Sequence, residues 1–175
     1  MKNKLRQAGF SLLEIVMVAG IIIVLSVAAI VAYQSAQQAT NMNTAVSNLN
    51  SLTASIRNTF ATQGDYTGLT NAVVLSSNSL PENMRVSVAG TTIKSPFAND
   101  GVDVAPANVG GTANDGFKIT FKNVTGRQCQ DFVNKMYRHY ETVQAGSTTV
   151  TSVATAASAC GGSETAKTDV SFSTR

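Results

Sequence analysis

The most regular feature of the chain is an unbroken apolar run near its start. Residues 15–33 are almost entirely apolar, and no charged residue follows Glu14 until Arg57. A helix of these 19 residues is roughly 28 Å long at about 1.5 Å per residue, and a bilayer core is about 30 Å thick. The run is therefore predicted to be a helix that crosses a membrane with little tilt.

Beyond residue 33 the apolar positions recur at three- and four-residue steps, the period of an amphipathic helix. We predict one helix over residues 10–62, with an apolar half at 10–33 and an amphipathic half at 34–62 that packs on a globular head. No proline kinks it, and Gln63-Gly64-Asp65 ends it. The apolar stripe is Ala39, Met42, Val46, Leu49, Leu52 (or Thr53), Ile56 and Phe60. The opposite face is polar and includes Asn41, Asn48 and Asn58.

Residues 63–175 are predicted to form the head. Alternating apolar and polar residues make 117–124 the clearest strand. Weaker strand candidates are residues 72–75, 85–88, 149–153 and 169–173. Residues 81–84 have the pattern of a turn or a short helix. Residues 65–116, with a Gly-, Asn-, Asp- and Pro-rich stretch at 95–116, are predicted to be irregular with short strands. An apolar stripe from Cys129 to Val143 predicts a second helix over 128–143 that Gly146 ends.

The basic residues at the start of the chain indicate its orientation. Lys2, Lys4 and Arg6 precede the apolar run, and positive flanks of this kind stay on the cytoplasmic side of a membrane. These are three of the 13 basic residues behind the net charge of +3, which leaves 10 to balance the 10 acidic residues. The remainder of the chain is close to neutral, so we expect no nucleic-acid partner.

Glu14 is unusual because a carboxylate inside a membrane helix costs about 2.5–3.5 kcal/mol and is generally paired. Its sequence neighbours are apolar, so they offer no partner. Cleavage after Gly9 would create one, since the new amine at Phe10 carries a positive charge four residues before Glu14. We predict that the amine of one subunit pairs with Glu14 of the next in a helical bundle. The alternative is an ordinary anchor in which Glu14 lies at the interface and reaches water.

The stretch from Gly9 to Glu14, with the apolar run behind it, resembles the N-terminus of type IV pilins (prepilins). Gly9, Phe10 and Glu14 match that family's cleavage glycine, first mature residue and fifth mature residue. The resemblance implies that residues 1–9 are a leader removed by a prepilin peptidase and that the Phe10 amine is methylated. It also implies an inner-membrane subunit with a cytoplasmic N-terminus. An ATPase and a platform protein would assemble it into a homo-oligomeric helical filament, the extracellular pilus.

A second resemblance covers the head. The loop that starts at Ser95, the strand 117–124 and Cys129 at the beginning of a helix look like the globular domain of the type IVb pilins. This implies an antiparallel sheet with the C-terminal strand among its central strands. It also implies a surface D-region at residues 129–160 that contacts other subunits. The expected fold is therefore α+β, with a long N-terminal helix packed on an antiparallel sheet and a second helix.

Cys129 and Cys160 are the only cysteines, and outside the cytoplasm two thiols most simply form a disulfide. Closing that loop would contribute about 3–4 kcal/mol in the chain-entropy model. A metal site at the cysteines is the weaker interpretation, because His139 is the single histidine. Calcium binding by residues 99–103 and 114–116 stays open, although EF-hand spacing is lacking. We expect no metal or other cofactor.

The function expected from these features is that of a structural pilus subunit. A minor pilin or a type II secretion pseudopilin is the alternative, because both share the N-terminal pattern. An enzyme is not expected, since the sequence has no nucleophile motif and no glycine-rich phosphate loop. A DNA-uptake or adhesive subunit is a further alternative, with a basic patch drawn from Lys94, Lys118, Lys122, Arg127, Lys135 and Arg138.

Overall fold

The computed structural model describes residues 11–77, 80–86, 91–163 and 165–175. The chain divides into two compact units, an N-terminal unit of residues 1–39 and a C-terminal unit of residues 40–175. Helix α1, Leu12–Phe60, contributes to both units. It agrees with the helix predicted over 10–62, of which residue 10 lies outside the described residues.

In the N-terminal unit α1 buries none of its apolar side chains. Every large apolar residue from Leu12 to Tyr33 is more than half exposed. The Ser26 hydroxyl donates to the Ile22 carbonyl at 2.7 Å, so its polar group is satisfied inside the helix. In the described part of the chain α1 is the one helix long and apolar enough to span a membrane, with a mean hydropathy of 3.1 over 18 residues.

In the C-terminal unit α1 has one buried face. Met42, Leu49, Leu52 and Ile56 of the predicted stripe are at most 3% exposed, and so is Ala45, which the prediction did not include. Val46 is half-buried, and Ala39 was wrongly placed in the stripe because it is exposed. Asn48 was expected on the polar face, and that expectation is wrong, because it is 4% exposed. Its carboxamide oxygen accepts a hydrogen bond from Asn83 at 3.1 Å, which satisfies a buried polar group.

Five antiparallel strands form one sheet in the order β1-β2-β5-β3-β4. The last strand in sequence therefore occupies the middle of the sheet, as the resemblance implied. The strand predicted at 117–124 is β2, and the one predicted at 169–173 is β5. The strands are β1 Val102–Ala107, β2 Gly116–Thr125, β3 Thr142–Ala145, β4 Thr148–Thr149 and β5 Lys167–Thr174.

Three further α-helices and a 3-10 turn pack in the C-terminal unit, namely α2 Asn71–Ser76, α3 Gly126–Met136, α4 Val153–Cys160 and the 3-10 turn Glu82–Met84. The 3-10 turn agrees with the turn or short helix predicted at 81–84.

An aromatic cluster fills the space between α3 and the sheet. The Phe132 ring of α3 lies 5.0 Å from the Phe121 ring and 4.8 Å from the Phe172 ring, centroid to centroid. The Tyr140 ring also packs on Phe172, with its centroid 5.2 Å away. The three phenylalanines are fully buried. Because β5 carries Phe172 at the centre of the sheet, this ring links helix packing to sheet pairing.

Residues 72–75 are not the predicted strand but lie in α2. The Thr70 side chain caps this helix by accepting from the Val73 main-chain N–H. Only Val74 of the short helix is buried. The four apolar residues 72–75, which include two valines, were mistaken for a strand. Of the strand predicted at 85–88, Arg85 forms an isolated bridge with Ile93, and residues 87–90 lie outside the described residues.

Strand β1 lies within residues 95–116, where no strand candidate was named. Asp103 and Pro106 obscured this strand in the sequence. In the structure β1 is an edge strand, where a proline that cannot donate a hydrogen bond is tolerated.

The second helix ends at Met136 rather than at Val143. The predicted apolar stripe is correct as far as Met136, but Tyr140 and Val143 lie beyond the end of the helix. The Tyr140 hydroxyl lies 2.8 Å from the Thr53 hydroxyl of α1. Val143 lies in β3, where it pairs with Phe172 of β5. Gly146 therefore does not end a helix. With φ at +60° it forms the turn between β3 and β4.

The strand predicted at 149–153 is reduced to Thr148–Thr149, and helix α4 was missed. Ser152 and Thr155 form a reciprocal capping box at its start. Gly161 ends α4 in the left-handed conformation, with φ at +70°. The capping signal was hidden because Thr155 replaces the usual Glu or Gln.

We expect Phe172→Ala to lower the free energy of unfolding by about 3–5 kcal/mol, because it leaves a cavity beside Phe132 and Tyr140. Denaturant titration of the full chain in detergent, followed by tyrosine fluorescence, measures this change. Val153→Ala is the matched control, since Val153 is 56% exposed and its loss should change stability by about 0.5 kcal/mol or less. Equal shifts in the two variants would contradict the central role of Phe172.

Candidate functional site

Glu14 lies in the first turn of α1 and is exposed. The main-chain N–H of Glu14 donates to the Ser11 carbonyl at 3.0 Å. A carboxylate is favourable here, because the amino end of a helix carries a partial positive charge. Ile15, Val18 and Ile22 line a shallow apolar groove beside it. No ion pair of Glu14 occurs within residues 11–77, 80–86, 91–163 and 165–175. Gly9 and Phe10 lie outside the described residues.

Cys129 and Cys160 form the expected disulfide, with Cα atoms 5.6 Å apart. Cys129 lies in α3 and Cys160 is the last residue of α4, and both are buried. The closed loop therefore contains most of α3, the hairpin β3–β4 and α4. The predicted D-region at 129–160 thus coincides with a covalently closed part of the C-terminal unit.

Gly126 brings the start of α3 against the end of α4. Its main-chain N–H donates to the Ser163 carbonyl at 2.9 Å. A Cβ at this position would lie 2.6 Å from the Ser163 oxygen and 2.7 Å from the Cys160 oxygen. Only glycine allows this approach, so the disulfide and Gly126 hold the two helix ends together at neighbouring points.

A polar groove runs between α1 and the end of α3. Its lining also includes two apolar side chains, and in full it is Val46, Asn50, Thr53 and Arg57 of α1 with Lys135, Met136, His139 and Tyr140. Burial raises the pKa of the Tyr140 hydroxyl above its usual value. Within the described ranges no Asp or Glu side chain lines this groove, and its two basic side chains are Arg57 and Lys135. Sequence reasoning identified Lys135 and His139 separately but did not connect them with Arg57 on a distant helix.

The Arg57 guanidinium fixes one end of the groove to the sheet. Its Nε donates to the main-chain oxygen of Arg175 at 2.8 Å, and one terminal nitrogen donates to the Thr174 hydroxyl at 2.8 Å. Arg57 is exposed and still lines the groove. Its guanidinium is therefore engaged at the end of β5 by the Thr174 hydroxyl and by the terminal main-chain group of Arg175.

The aspartates considered for calcium have other partners. Asp103 and Asp100 form ion pairs with Lys122 at 2.8 and 3.4 Å, and the hydrogen bond to Asp103 raises the pKa of the lysine. The Asp115 carboxylate accepts the main-chain N–H groups of Val109 and Gly110 at 2.7 Å, and the bond from Val109 lowers its pKa. These carboxylates stabilise loops.

The basic residues considered as a patch do not all act as free charges. Lys122 is neutralised by Asp100 and Asp103. The Arg138 guanidinium stacks over the adjacent Tyr137 ring, 5.4 Å from its centroid. Of the six candidates, Lys135 is the one that lines the polar groove.

The family model described as PilS N terminal matches residues 39–174. The chain belongs to this family of type IV pilins. It is 31% identical over 136 residues to the toxin coregulated pilin of Vibrio cholerae serotype O1, an alignment that covers 77% of this chain and 60% of the relative. It is 29% identical over 106 residues to the major structural subunit of the bundle-forming pilus of Escherichia coli O127:H6, covering 61% of this chain and 54% of the relative.

The pilin fold is also found among solved structures. The crystal structure of TcpA, a type IV pilin from the Vibrio cholerae El Tor biotype, aligns with a TM-score of 0.58 at 18% identity. The alignment covers 78% of this chain and 99% of that one. Against its curated relatives this pilin spans only 54–60% of their length.

The predicted pilin sites belong to different units of the chain. Glu14 belongs to the N-terminal unit, and the disulfide belongs to the C-terminal unit. The pairing of Glu14 with an amine and the roles of Gly9 and Phe10 stay predictions. The disulfide is present between the two expected cysteines.

Replacing both cysteines by serine in the pilin should lower its free energy of unfolding by about 3–4 kcal/mol, because the unfolded chain is no longer closed into a loop. Denaturant titration of the full chain with and without a reducing agent measures this. Reducing agent should destabilise the wild type and leave the double variant unchanged. A wild type that is insensitive to reduction would show that the disulfide does not carry this stability.

Proposed function

We propose that this pilin is a structural subunit of a type IV pilus. The observation that carries the proposal is the apolar helix of the N-terminal unit, none of whose 18-residue window is buried, in a chain whose remainder belongs to a pilin family. Such a surface needs either lipid or other apolar helices around it. A helical filament of many copies supplies those helices, and relatives of the chain are named as pilins and as a major pilus subunit.

The subunit would wait in the inner membrane with its N-terminus in the cytoplasm. Lipid already shields the apolar side chains there, so assembly gains little from removing them from water. Packing of helix on helix and pairing of Glu14 must therefore drive incorporation. Cleavage after Gly9 by a prepilin peptidase, with methylation of the Phe10 amine, would provide the cation that Glu14 lacks. An ATPase and a platform protein would drive extrusion.

A minor pilin or a type II secretion pseudopilin would use the same N-terminal segment. The disulfide-closed region 129–160 favours a pilin over a pseudopilin. The major subunit is favoured over a minor one because one relative is named a major structural subunit.

The N-terminus of the mature protein tests the processing step. We expect intact-mass analysis and N-terminal sequencing of material sheared from the cell surface to show a chain that begins at Phe10, carries one added methyl group and weighs two hydrogens less than its reduced form. High abundance in that fraction would identify the major subunit. A chain that stays in the membrane fraction and begins at Met1 would overturn the proposed function.

The charge of Glu14 tests the assembly step. Glu14→Ala and Glu14→Gln should still be cleaved but should enter filaments about tenfold less, a loss equivalent to about 1.4 kcal/mol. The glutamine variant keeps the size and polarity of the side chain and removes only the charge. Quantification of pilin in the sheared and membrane fractions provides the measurement. Normal filament yield from the glutamine variant would contradict an ion pair.

A further inference from the structure

Strand β1 is the longer of the two edges of the sheet, with six residues against two in β4. In an antiparallel pair, alternate residues bond to the partner strand, and the residues between them turn their main-chain groups the other way. The N–H of Lys122 in β2 donates to the Gly101 carbonyl at 2.9 Å, which sets this alternation. Val102, Val104 and Pro106 therefore turn their main-chain groups outward, away from β2.

The Asn71 side chain of α2 occupies the place of a neighbouring strand beside β1. Its amide oxygen accepts from the Val104 main-chain N–H at 2.8 Å. Its amide nitrogen donates to the Val102 carbonyl at 3.2 Å. One residue of a parallel neighbouring strand would bond to the same two groups. Asn71 thus satisfies the middle of the outward edge with a side chain.

The orientation of this amide is fixed by Asp103. The Asn71 amide nitrogen also donates to the Asp103 carboxylate at 3.1 Å. A carboxylate only accepts, so this contact determines which end of the amide carries the nitrogen. Asp103 is itself held by Lys122 of the next strand at 2.8 Å. The blocking side chain is therefore anchored to two strands of the sheet.

The other two outward positions of β1 are closed in different ways. The Val102 N–H donates to the Ile93 carbonyl at 3.1 Å, and Ile93 forms an isolated bridge with Val102. Pro106 has no N–H to offer. Of the outward residues 102, 104 and 106, all within the described chain, none presents an N–H to an incoming strand. A new strand cannot form a regular ladder on an edge without donors.

We propose that the outward edge of β1 is a latent site for pairing with the same edge of a second copy of this chain, and that Asn71 keeps this site closed. Two identical edges are self-complementary when they meet antiparallel about a twofold axis. Centred on Val104, such a pair would form reciprocal bonds between the two Val104 residues. The proposal goes beyond the proposed function, because it concerns single subunits outside a filament.

Opening the edge by substitution tests the proposal. Asn71→Ala frees the Val104 N–H, and Pro106→Ala adds a donor that can reach Val102 of the second copy. The double variant should have an association constant about tenfold above that of the wild type, measured by sedimentation velocity of the full chain in detergent. Pro106→Ala alone should match the wild type, because Asn71 still blocks Val104. A double variant that associates no more than the wild type would overturn the proposal.

A control variant separates edge opening from the loss of a hydrogen bond. The Asn108 side-chain oxygen accepts from the Asn114 main-chain N–H at 2.9 Å, so Asn108→Ala removes a comparable bond outside β1. It should associate as the wild type does. Equal association of Asn108→Ala and Asn71→Ala would contradict a specific role of the β1 edge.

Crosslinking locates the contact. Both cysteines of the chain are in the disulfide, so Ala105→Cys in β1 adds one reactive thiol. In the proposed pair the two Ala105 positions are diagonal neighbours, about 7–8 Å apart. A short bismaleimide should give dimers in the double variant and not in the wild-type background. Ser173→Cys, on the same face of the sheet in central strand β5, should give none. Equal crosslinking at both positions would place the contact elsewhere and overturn the proposal.

Hydrogen exchange tests the wild type itself, whether or not the variants fold. The Val104 amide should exchange about a hundredfold more slowly than an unstructured amide, because Asn71 accepts from it although it faces outward from an edge strand. In Asn71→Ala this protection should be lost, while the Phe172 amide of central strand β5 keeps its own. A Val104 amide that exchanges in the wild type at the unstructured rate would show that Asn71 does not close the edge.

Discussion

The structure depends on one constraint, which is that a single helix, α1, must suit two different environments along its length. From Leu12 to Tyr33 it is apolar on all sides and exposed. From Met42 to Phe60 it has one apolar face that enters a protein core. The sheet and the shorter helices serve this second half, since Leu49, Leu52 and Ile56 are covered as completely as the phenylalanines of the sheet. One half of α1 thus packs in the core of the C-terminal unit, and the exposed apolar side chains of the other half need apolar contacts from outside the subunit.

The C-terminal unit holds its half of α1 by apolar packing and by two side-chain hydrogen bonds. Apolar side chains provide most of the burial. The Thr53–Tyr140 hydrogen bond lies in the interior at 2.8 Å, and the Asn48–Asn83 bond satisfies a second buried polar group on the far side of the helix. Because buried polar groups are costly when unpaired, these two contacts fix the rotation of α1 about its axis. The same rotation places Arg57 in the groove beside Lys135 and His139.

Features with strong local periodicity were predictable from the sequence. The long helix, the alternating strand β2 and the strand β5 each repeat one pattern over enough residues to be recognised. Elements whose residues serve distant partners were not. Tyr140 and Val143 extend a helical stripe in the sequence, yet one bonds to α1 and the other pairs with β5. Pro106 hid an edge strand, and Thr155 hid a capping box. The groove escaped prediction because Arg57 and Lys135 are brought together only by tertiary packing.

The place of β5 in the sheet has a consequence for the order in which the protein can fold. Every other strand precedes it in the chain, yet it separates β2 from β3. Until its eight residues arrive, β1–β2 and β3–β4 are two unconnected hairpins with open edges, and hairpins of that size are only marginally stable in water. If the C-terminal unit crosses a membrane in order from its N-terminal end, its sheet therefore stays incomplete for almost the whole crossing. The closing step is the insertion of β5 between the free edges of β2 and β3, so the sheet is completed only after residues 167–174 have crossed.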